Sequence, residues 1–563
     1  MCTRVPEKGA EGDPPAPRSR DRSVRPWRLA AWVVALALVV GGVATLPGYG
    51  VTCDEAYGYL FFGERYLHYF LTHDRAYLDF ENADLPIHHR EPNLFVSIGR
   101  VHTRQFPPLA DTLSAGTMEL LGHRLGWMDP IDGFHVATIL LVGLLLAVLF
   151  EFAAPRLGSA TALAGIALLA FHPRFWADMH NNPKDIPELV FFAFTVMAAA
   201  RWYARPRVGK ALVAGALGGA ALAVKANAVF IPFVVILGLW PWQGGPLGWR
   251  PVAHHLRRVW WHYALMLSTS ILVFFSVWPW LWQNSLARFG KHVSAFASQM
   301  GRPPHPGWNP DPANQVIATL PELTLLLLAV GTLAAVTRVA RGSDPSGTLR
   351  LLLAWMVVPI LRNSVPGAWN FDGIRHFYEF LPAAALVAAV GGATLVRLVS
   401  EKGRPWVALA LVALTTLDIG EAIVRYHPHE TAYFNRLVGG LEGAARFFPE
   451  ATDYWGSSYR QGVAWLNQNA EPESALYVPV HPHIVTLVSG HWLRHGLRLI
   501  EPSDWEPALA SGRPVYVMFV SRPEFYDEIA RECVRSRRPA YEIVVDGHPI
   551  LQVYRLSGGP AGS

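Results

Sequence analysis

Two adjacent carboxylates, Asp54 and Glu55, stand in the run Thr52-Cys53-Asp54-Glu55-Ala56-Tyr57, and a carboxylate held beside a hydroxyl or amine can act as a general base. The pair also suits a helix start, where acidic side chains meet the positive end of the helix dipole. Its company favours chemistry. Arg104-Gln105-Phe106-Pro107-Pro108-Leu109-Ala110-Asp111, His172-Pro173-Arg174-Phe175-Trp176, Asn181-Asn182-Pro183-Lys184-Asp185 and Asp372-Gly373-Ile374-Arg375-His376-Phe377-Tyr378 are further compact polar clusters. Lys225, in Val224-Lys225-Ala226-Asn227, lies between two apolar runs; it is either a functional charge or a side chain snorkelling to an interface.

These clusters are set in a chain that is otherwise poor in charge. Of 563 residues, 16% are charged and 52% hydrophobic, with 48 Lys+Arg against 43 Asp+Glu for a net charge of +5. Soluble chains average about 25% charged residues, so the deficit must be local, and it sits in apolar runs such as 31–46 and 139–150. A helical membrane span takes about 20 apolar residues. Candidates fall near 28–47, 134–153, 157–172, 187–204, 209–224, 226–242, 259–282, 317–339, 348–362, 376–399 and 405–424. The fold class is therefore an α-helical polytopic membrane protein with about eleven transmembrane helices. Disorder, collagen and a disulfide-stapled miniprotein are excluded. The positive balance is too small to imply nucleic acid; the bilayer is the partner.

Short cytoplasmic loops are enriched in Lys and Arg, which tests the span count. With the N-terminus and its Arg18, Arg20, Arg22, Arg25 and Arg28 inside, every second loop is basic. Those loops hold Arg156; Arg201, Arg205, Arg207 and Lys210; Arg250, Arg257 and Arg258; Arg338, Arg341 and Arg350; and Arg397, Lys402 and Arg404. The expected location is the cell inner (cytoplasmic) membrane, multi-pass, with a cytoplasmic N-terminus and an extracytoplasmic C-terminus. The first run lacks a small-residue cleavage signature right after it, so it reads as a retained helix.

The expected domains are a disordered N-terminus at 1–27, a membrane domain at 28–424 and an extracytoplasmic C-terminal domain at 425–563. All four polar clusters then meet the outer face, one of them within a long outer loop at 48–133 that also carries Asp54 and Glu55. That loop reads as helical at 55–70 and 109–125. In the C-terminal segment, strand-like 475–480, 514–520 and 541–545 alternate with helix-like 460–468 and 524–534, the pattern of a small α/β domain. Gly215, Gly218 and Gly219 suit close helix packing. Trp278-Pro279-Trp280-Leu281-Trp282 suits an aromatic belt at the interface, with gripping of an isoprenoid or sugar as a secondary reading. His88-His89 with His102, His427 with His429, and His481 with His483 are zinc-capable groups, but a metal needs three or four converging ligands and the sequence shows no convergence. Of the three cysteines, Cys2, Cys53 and Cys533, the last two face outward and are free to pair if close enough.

An Asp-Glu pair after the first span, a Pro-Pro-Leu element later in the same loop, Asp185 after the third span and Arg375-His376 followed by Leu381-Pro382 together resemble the protein O-mannosyltransferase family and its relatives that move aminoarabinose onto lipid A. These are GT-C glycosyltransferases of family 39. The segment from His427-Pro428-His429-Glu430 through Tyr433-Phe434-Asn435, Gly439-Gly440 and Asp453-Tyr454-Trp455-Gly456 is similar to bacterial members with a C-terminal outer domain. The resemblance implies a GT-C-like membrane domain and transfer of mannose or another hexose or pentose from a polyprenyl-phosphate-linked sugar to a protein or glycolipid acceptor. The transfer would be an inverting single displacement. Asp54 would be the base and Glu55 its orienting neighbour. Arg375 and His376, helped by Arg104, Arg174, Lys184 and Lys225, would hold the donor phosphate, and Asp185 would orient the sugar or a basic neighbour, or bind a divalent metal. Two departures stand out. The loop at 283–316 is short where eukaryotic members carry an inserted domain, and Asp111 follows the Pro-Pro element where a basic residue is usual.

A multi-span transporter or flippase is the rival from another class. It should carry mid-span charges or repeated halves, whereas polar residues here gather in the outer loops. A catalytically dead scaffold with the same fold is a third reading, one that would tolerate Asp54→Asn.

Overall fold

The apolar runs fold as helices because the backbone of a lipid-embedded segment must satisfy its own hydrogen bonds. The computed structural model describes residues 18–80, 82, 84–88, 106–239, 249–298, 306–368, 370–401 and 405–556. A helix occupies each of the expected span positions. Six are long and apolar enough to cross a membrane: Arg25–Gly48, Pro130–Leu157, Asp185–Ala204, Arg257–Ser276, Glu322–Ala340 and Gly373–Glu401. Ser159–Ala170, Val208–Leu222 and Ala226–Leu239 are shorter apolar helices, and Thr348–Ser364 and Pro405–Tyr426 complete the bundle. The first helix begins at Arg18, inside the stretch expected to be disordered. Small residues let helix backbones approach closely: a methyl at Gly215 would lie 2.6 Å from Met266 O, and one at Gly219 2.5 Å from Ser270 O.

The Trp-rich stretch departs from a simple belt. Trp278 is buried with Phe61, Phe62, Tyr66 and Phe80, while Trp282 is exposed. These rings seat the 48–133 loop on the bundle, and within that loop Leu60–Thr72 packs against Leu109–Thr117.

The C-terminal segment folds into a five-stranded mixed sheet of order β2-β1-β3-β5-β4, with β1 Ala475–Tyr477, β2 Arg498–Ile500, β3 Val515–Val520, β4 Tyr541–Val545 and β5 His548–Leu556. Strands β2–β1–β3 are parallel, and β5 runs antiparallel to β3 and β4. Strands β2 and β5 go beyond the sequence expectation. The sheet is not pendant. Its core residues, among them Val480, Ile484 and Tyr459, form one apolar cluster with Val51, Ala56, Leu60, Met118 and Phe134 from the 48–133 loop and the second span helix. Polar latches reinforce this seam. Arg460 bonds Asp132 (2.6 and 3.2 Å) and Tyr49 O (2.9 Å), and Trp492 Nε1 donates to Asp129 (2.8 Å). The 427–435 segment is another fastening: Tyr49 Oη donates to Glu430 (2.8 Å), and Asn435 Nδ2 donates to Ile317 O (2.6 Å) and Leu320 O (2.8 Å).

Candidate active site

The chain leaves the first helix through Gly50–Thr52 and turns at Asp54 into a π-type turn, Glu55–Tyr59. The two carboxylates then diverge. Glu55 is buried, accepting from Thr52 N (2.7 Å), Thr52 Oγ1 (2.9 Å) and His135 Nε2 (2.6 Å). Asp54 keeps 29% of its side chain exposed and meets Arg375 Nη1 at 3.0 Å. Of the pair, Asp54 is the one a substrate can reach, and Glu55 pins the turn that presents it.

Arg375 is the node of the site. Its guanidinium also reaches Asp372 (2.8 Å) and Asp185 (3.4 Å), so three separate segments converge on one cation, while its Nε has no hydrogen-bond partner among the described residues. Asp372 and Gly373 take left-handed backbone angles, φ 54° and 71°, which favour glycine. A side chain at 373 would in addition press within 2.6 Å of Arg174 Nη1. Asp185 also binds Lys225 (2.5 Å) and accepts from Asn182 (3.1 Å), which brings the Lys225 side chain into the same charge network. Lys184 is spent differently: its ammonium donates to Pro107 O (2.6 Å) and Asp111 (2.9 and 3.2 Å), and three acceptor atoms match its three protons. The acidic residue after the Pro-Pro element is thus the partner of Lys184.

Arg174 is buried, bonds Tyr433 O (2.9 Å) through Nε and stacks on Phe434, with Nη2 lacking a hydrogen-bond partner among the described residues. His376 packs its ring on Phe371, and its carbonyl accepts from Asn227 (3.2 Å) and from Arg362. Arg104 lies outside the described residues.

Burial pushes the Asp54 carboxyl up from its ordinary range; Arg375 opposes this and Asp372 and Asp185 reinforce it. Burial likewise pushes Asp111 up and Lys184 down, each restrained by the other. Asp178, enclosed beside Tyr378 and Arg174, is pushed up to about 7, chiefly by burial. Such shifts collect where charged groups share a desolvated cleft.

The C-terminal domain completes the site. Trp455 stacks on Arg375 with the guanidinium carbon 4.6 Å from the ring centre, and its carbonyl accepts from Cys53 N (2.9 Å). Arg522 lies 3.8 Å from Asp372 and donates to Tyr454 O (2.9 Å). Asp453 accepts from the amides of Gly456, Ser457 and Ser458, holding that turn in shape. Trp455 and Arg522 were missed from sequence; the Asp453-Tyr454-Trp455-Gly456 run was the available signal. Among the described residues, neither Cys53 nor Cys533 forms a disulfide.

Residues 106–280 match the family model described as dolichyl-phosphate-mannose-protein mannosyltransferase. That stretch carries Pro107-Pro108, Lys184, Asp185 and Lys225, and lies between Asp54 and Arg375 in sequence. The crystal structure of ArnT from Cupriavidus metallidurans bound to undecaprenyl phosphate superposes with a TM-score of 0.51 at 14% identity, over 95% of this chain and 98% of that one. The chain has an ArnT-like GT-C fold. The apo form of the same ArnT gives a TM-score of 0.48 at 14% identity, over 94% and 98% of the two chains. The apo oligosaccharyltransferase of Archaeoglobus fulgidus gives 0.45 at 11% identity, over 88% and 69%. No curated protein sequence matches. Within this GT-C fold, the Asp54–Arg375 node lies where the bundle meets the C-terminal domain.

Proposed function

We propose that the protein is an integral-membrane glycosyltransferase that moves a sugar from a polyprenyl-phosphate carrier to a hydroxyl or amine acceptor on a protein or envelope glycolipid, at the outer face of the cytoplasmic membrane. The observation that carries this reading is the meeting of a reachable carboxylate, Asp54, with Arg375, Asp185 and Lys225 under the C-terminal domain. The mannosyltransferase family match and the solved ArnT complex with undecaprenyl phosphate support a lipid-phosphate donor. So does an apolar cleft of about 520 Å³, lined near one end by Leu222 and Ala228, which flank the Lys225 turn, and near the other by Leu239, His255 and Tyr263. It offers an isoprenoid tail a path along the bundle.

In the reaction Asp54 takes the proton of the acceptor as its oxygen or nitrogen attacks the anomeric carbon. The bond from that carbon to the phosphate oxygen breaks on the opposite face, inverting the centre. Charge builds on the departing lipid phosphate, where preorganised cations are most effective. Among the described residues, the groups with donors to spare are Arg375, Arg174 and Lys225: two have guanidinium nitrogens without a partner there, and Lys225 has one acceptor for its three protons. Lys184 has none left. A carboxylate base and a cationic leaving-group clamp favour transfer over transport. Membranes carrying the protein, incubated with a panel of radiolabelled polyprenyl-phosphate sugars, should transfer label from at least one of them to protein or glycolipid; a panel giving no transfer above membranes lacking the protein would defeat the reading.

A further inference from the structure

One cluster near the site takes no part in that chemistry. Cys53, the residue before Asp54, faces His481 and His483 of the C-terminal domain, and one ligand atom from each side chain lies within 4.8 Å of the other two. Cys53 Sγ and His481 Nδ1 are 3.6 Å apart. In a tetrahedral zinc site, with Zn–S near 2.3 Å and Zn–N near 2.0–2.1 Å, the sulfur–nitrogen separation works out at about 3.5 Å. Cys53 and His483 are buried and His481 is half-buried. The His481 backbone is held at φ 49°, a conformation costly for a side-chain-bearing residue.

We propose that Cys53, His481 and His483 bind one zinc-type divalent ion, which clamps the turn carrying Asp54 to the C-terminal domain. One thiolate and two imidazoles are the soft and borderline donors that select zinc over calcium or magnesium. Three protein ligands leave the fourth tetrahedral position to water, as in open zinc sites. Charged groups of both signs act on His481: Arg522 most strongly, opposed by the carboxylates of Asp372, Asp453 and Glu524. On binding, the Cys53 sulfur–hydrogen bond gives way to a sulfur–metal bond and the proton leaves to solvent. The ligands come from segments 428 residues apart in sequence, and they join at the seam where Cys53 N already bonds Trp455 O (2.9 Å). The ion would therefore fasten the domain whose Trp455 covers Arg375. This role is independent of which group the enzyme transfers.

The test uses the full chain purified in detergent, stripped with a chelator and titrated with zinc or cobalt(II) alone. One zinc per chain should bind, and the cobalt form should show tetrahedral ligand-field bands with a thiolate charge-transfer band. Cys53→Ser should abolish the charge-transfer band, while Cys533→Ser keeps it. His483→Ala should weaken zinc binding by more than the about 10–100-fold that losing an outer-shell partner of a ligand costs. Zinc should raise the thermal unfolding midpoint of the wild type and leave that of His483→Ala in place. A wild-type cobalt form without a thiolate band overturns the proposal whatever the variants do, and so does zinc binding that Cys53→Ser and His483→Ala leave unchanged.

Discussion

Replacing Lys184 by Met should destabilise the protein strongly, and replacing Asp111 by Leu as well should undo most of that loss. Lys184 Nζ sits 2.9 Å from Asp111 Oδ2 with 3% and 4% of the two side chains exposed. At that distance and an effective dielectric of about 20, the attraction is about 6 kcal/mol. Desolvating both ions offsets much of it, so the pair is worth little against two apolar side chains of similar size. Removing one partner alone leaves a buried charge uncompensated and costs about 3–5 kcal/mol. Lys184→Met also strands the Pro107 carbonyl, a further loss of about 1–3 kcal/mol, which the double variant does not recover. The assay is thermal unfolding in detergent for wild type, both single variants and the double variant, with sugar transfer measured on each. The expected result is a lowered midpoint in Lys184→Met, recovery in Lys184→Met/Asp111→Leu, and transfer returning with stability. A double variant that is stable but inactive would refute the reasoning, because Lys184 would then be acting on the donor.

Other substitutions separate the roles of neighbouring residues. Arg375→Lys keeps the charge but cannot span Asp54, Asp185 and Asp372 together; losing one charge-assisted hydrogen bond at about 1.5–3 kcal/mol predicts a fall in kcat on the order of tenfold to a hundredfold, read in steady-state transfer. Glu55→Gln should cost about 1–3 kcal/mol of stability and less than about tenfold in kcat, whereas loss of a direct general base costs about 10²–10⁴. Because burial raises Asp178 to about 7, the folded state favours its protonated form. Its contribution to stability is full below the unfolded value near 4 and is lost as pH rises through about 7. Asp178→Asn should remove that decline from a plot of unfolding midpoint against pH.

The membrane helices were legible because a lipid-embedded segment must be both apolar and long, and composition reports both. Asp54, Asp185, Lys225 and Arg375 could be singled out because charge is scarce in such a chain, so each one near a span end stands out. Their division of labour could not. That Glu55 turns inward to His135 while Asp54 faces Arg375 depends on the π-type turn at 55–59, which shifts side-chain directions in a way a helical period does not anticipate. That Lys184 is consumed by Asp111 depends on a contact between residues 73 positions apart. The roof over Arg375 left only the Asp453-Tyr454-Trp455-Gly456 run as a mark, since Trp455 and Arg522 reach the site through tertiary packing. Strand β5 did leave a local mark: Asp546-Gly547, at φ 46° and 79°, is the turn pair that favours a tight hairpin, masked by His548-Pro549 at the strand start. Strand β2, three residues between turns, left none.

In the proposed reaction Asp54 acts on the acceptor while the cations around it hold the donor. The direct measurement is transfer at saturating donor by wild type and Asp54→Asn, alongside donor binding to each. Asn keeps the shape but accepts no proton. Asp54→Asn should lower kcat by about 10²–10⁴ with donor affinity preserved within a few-fold. Transfer by Asp54→Asn at the wild-type rate, or a loss of transfer explained wholly by weaker donor binding, would contradict it.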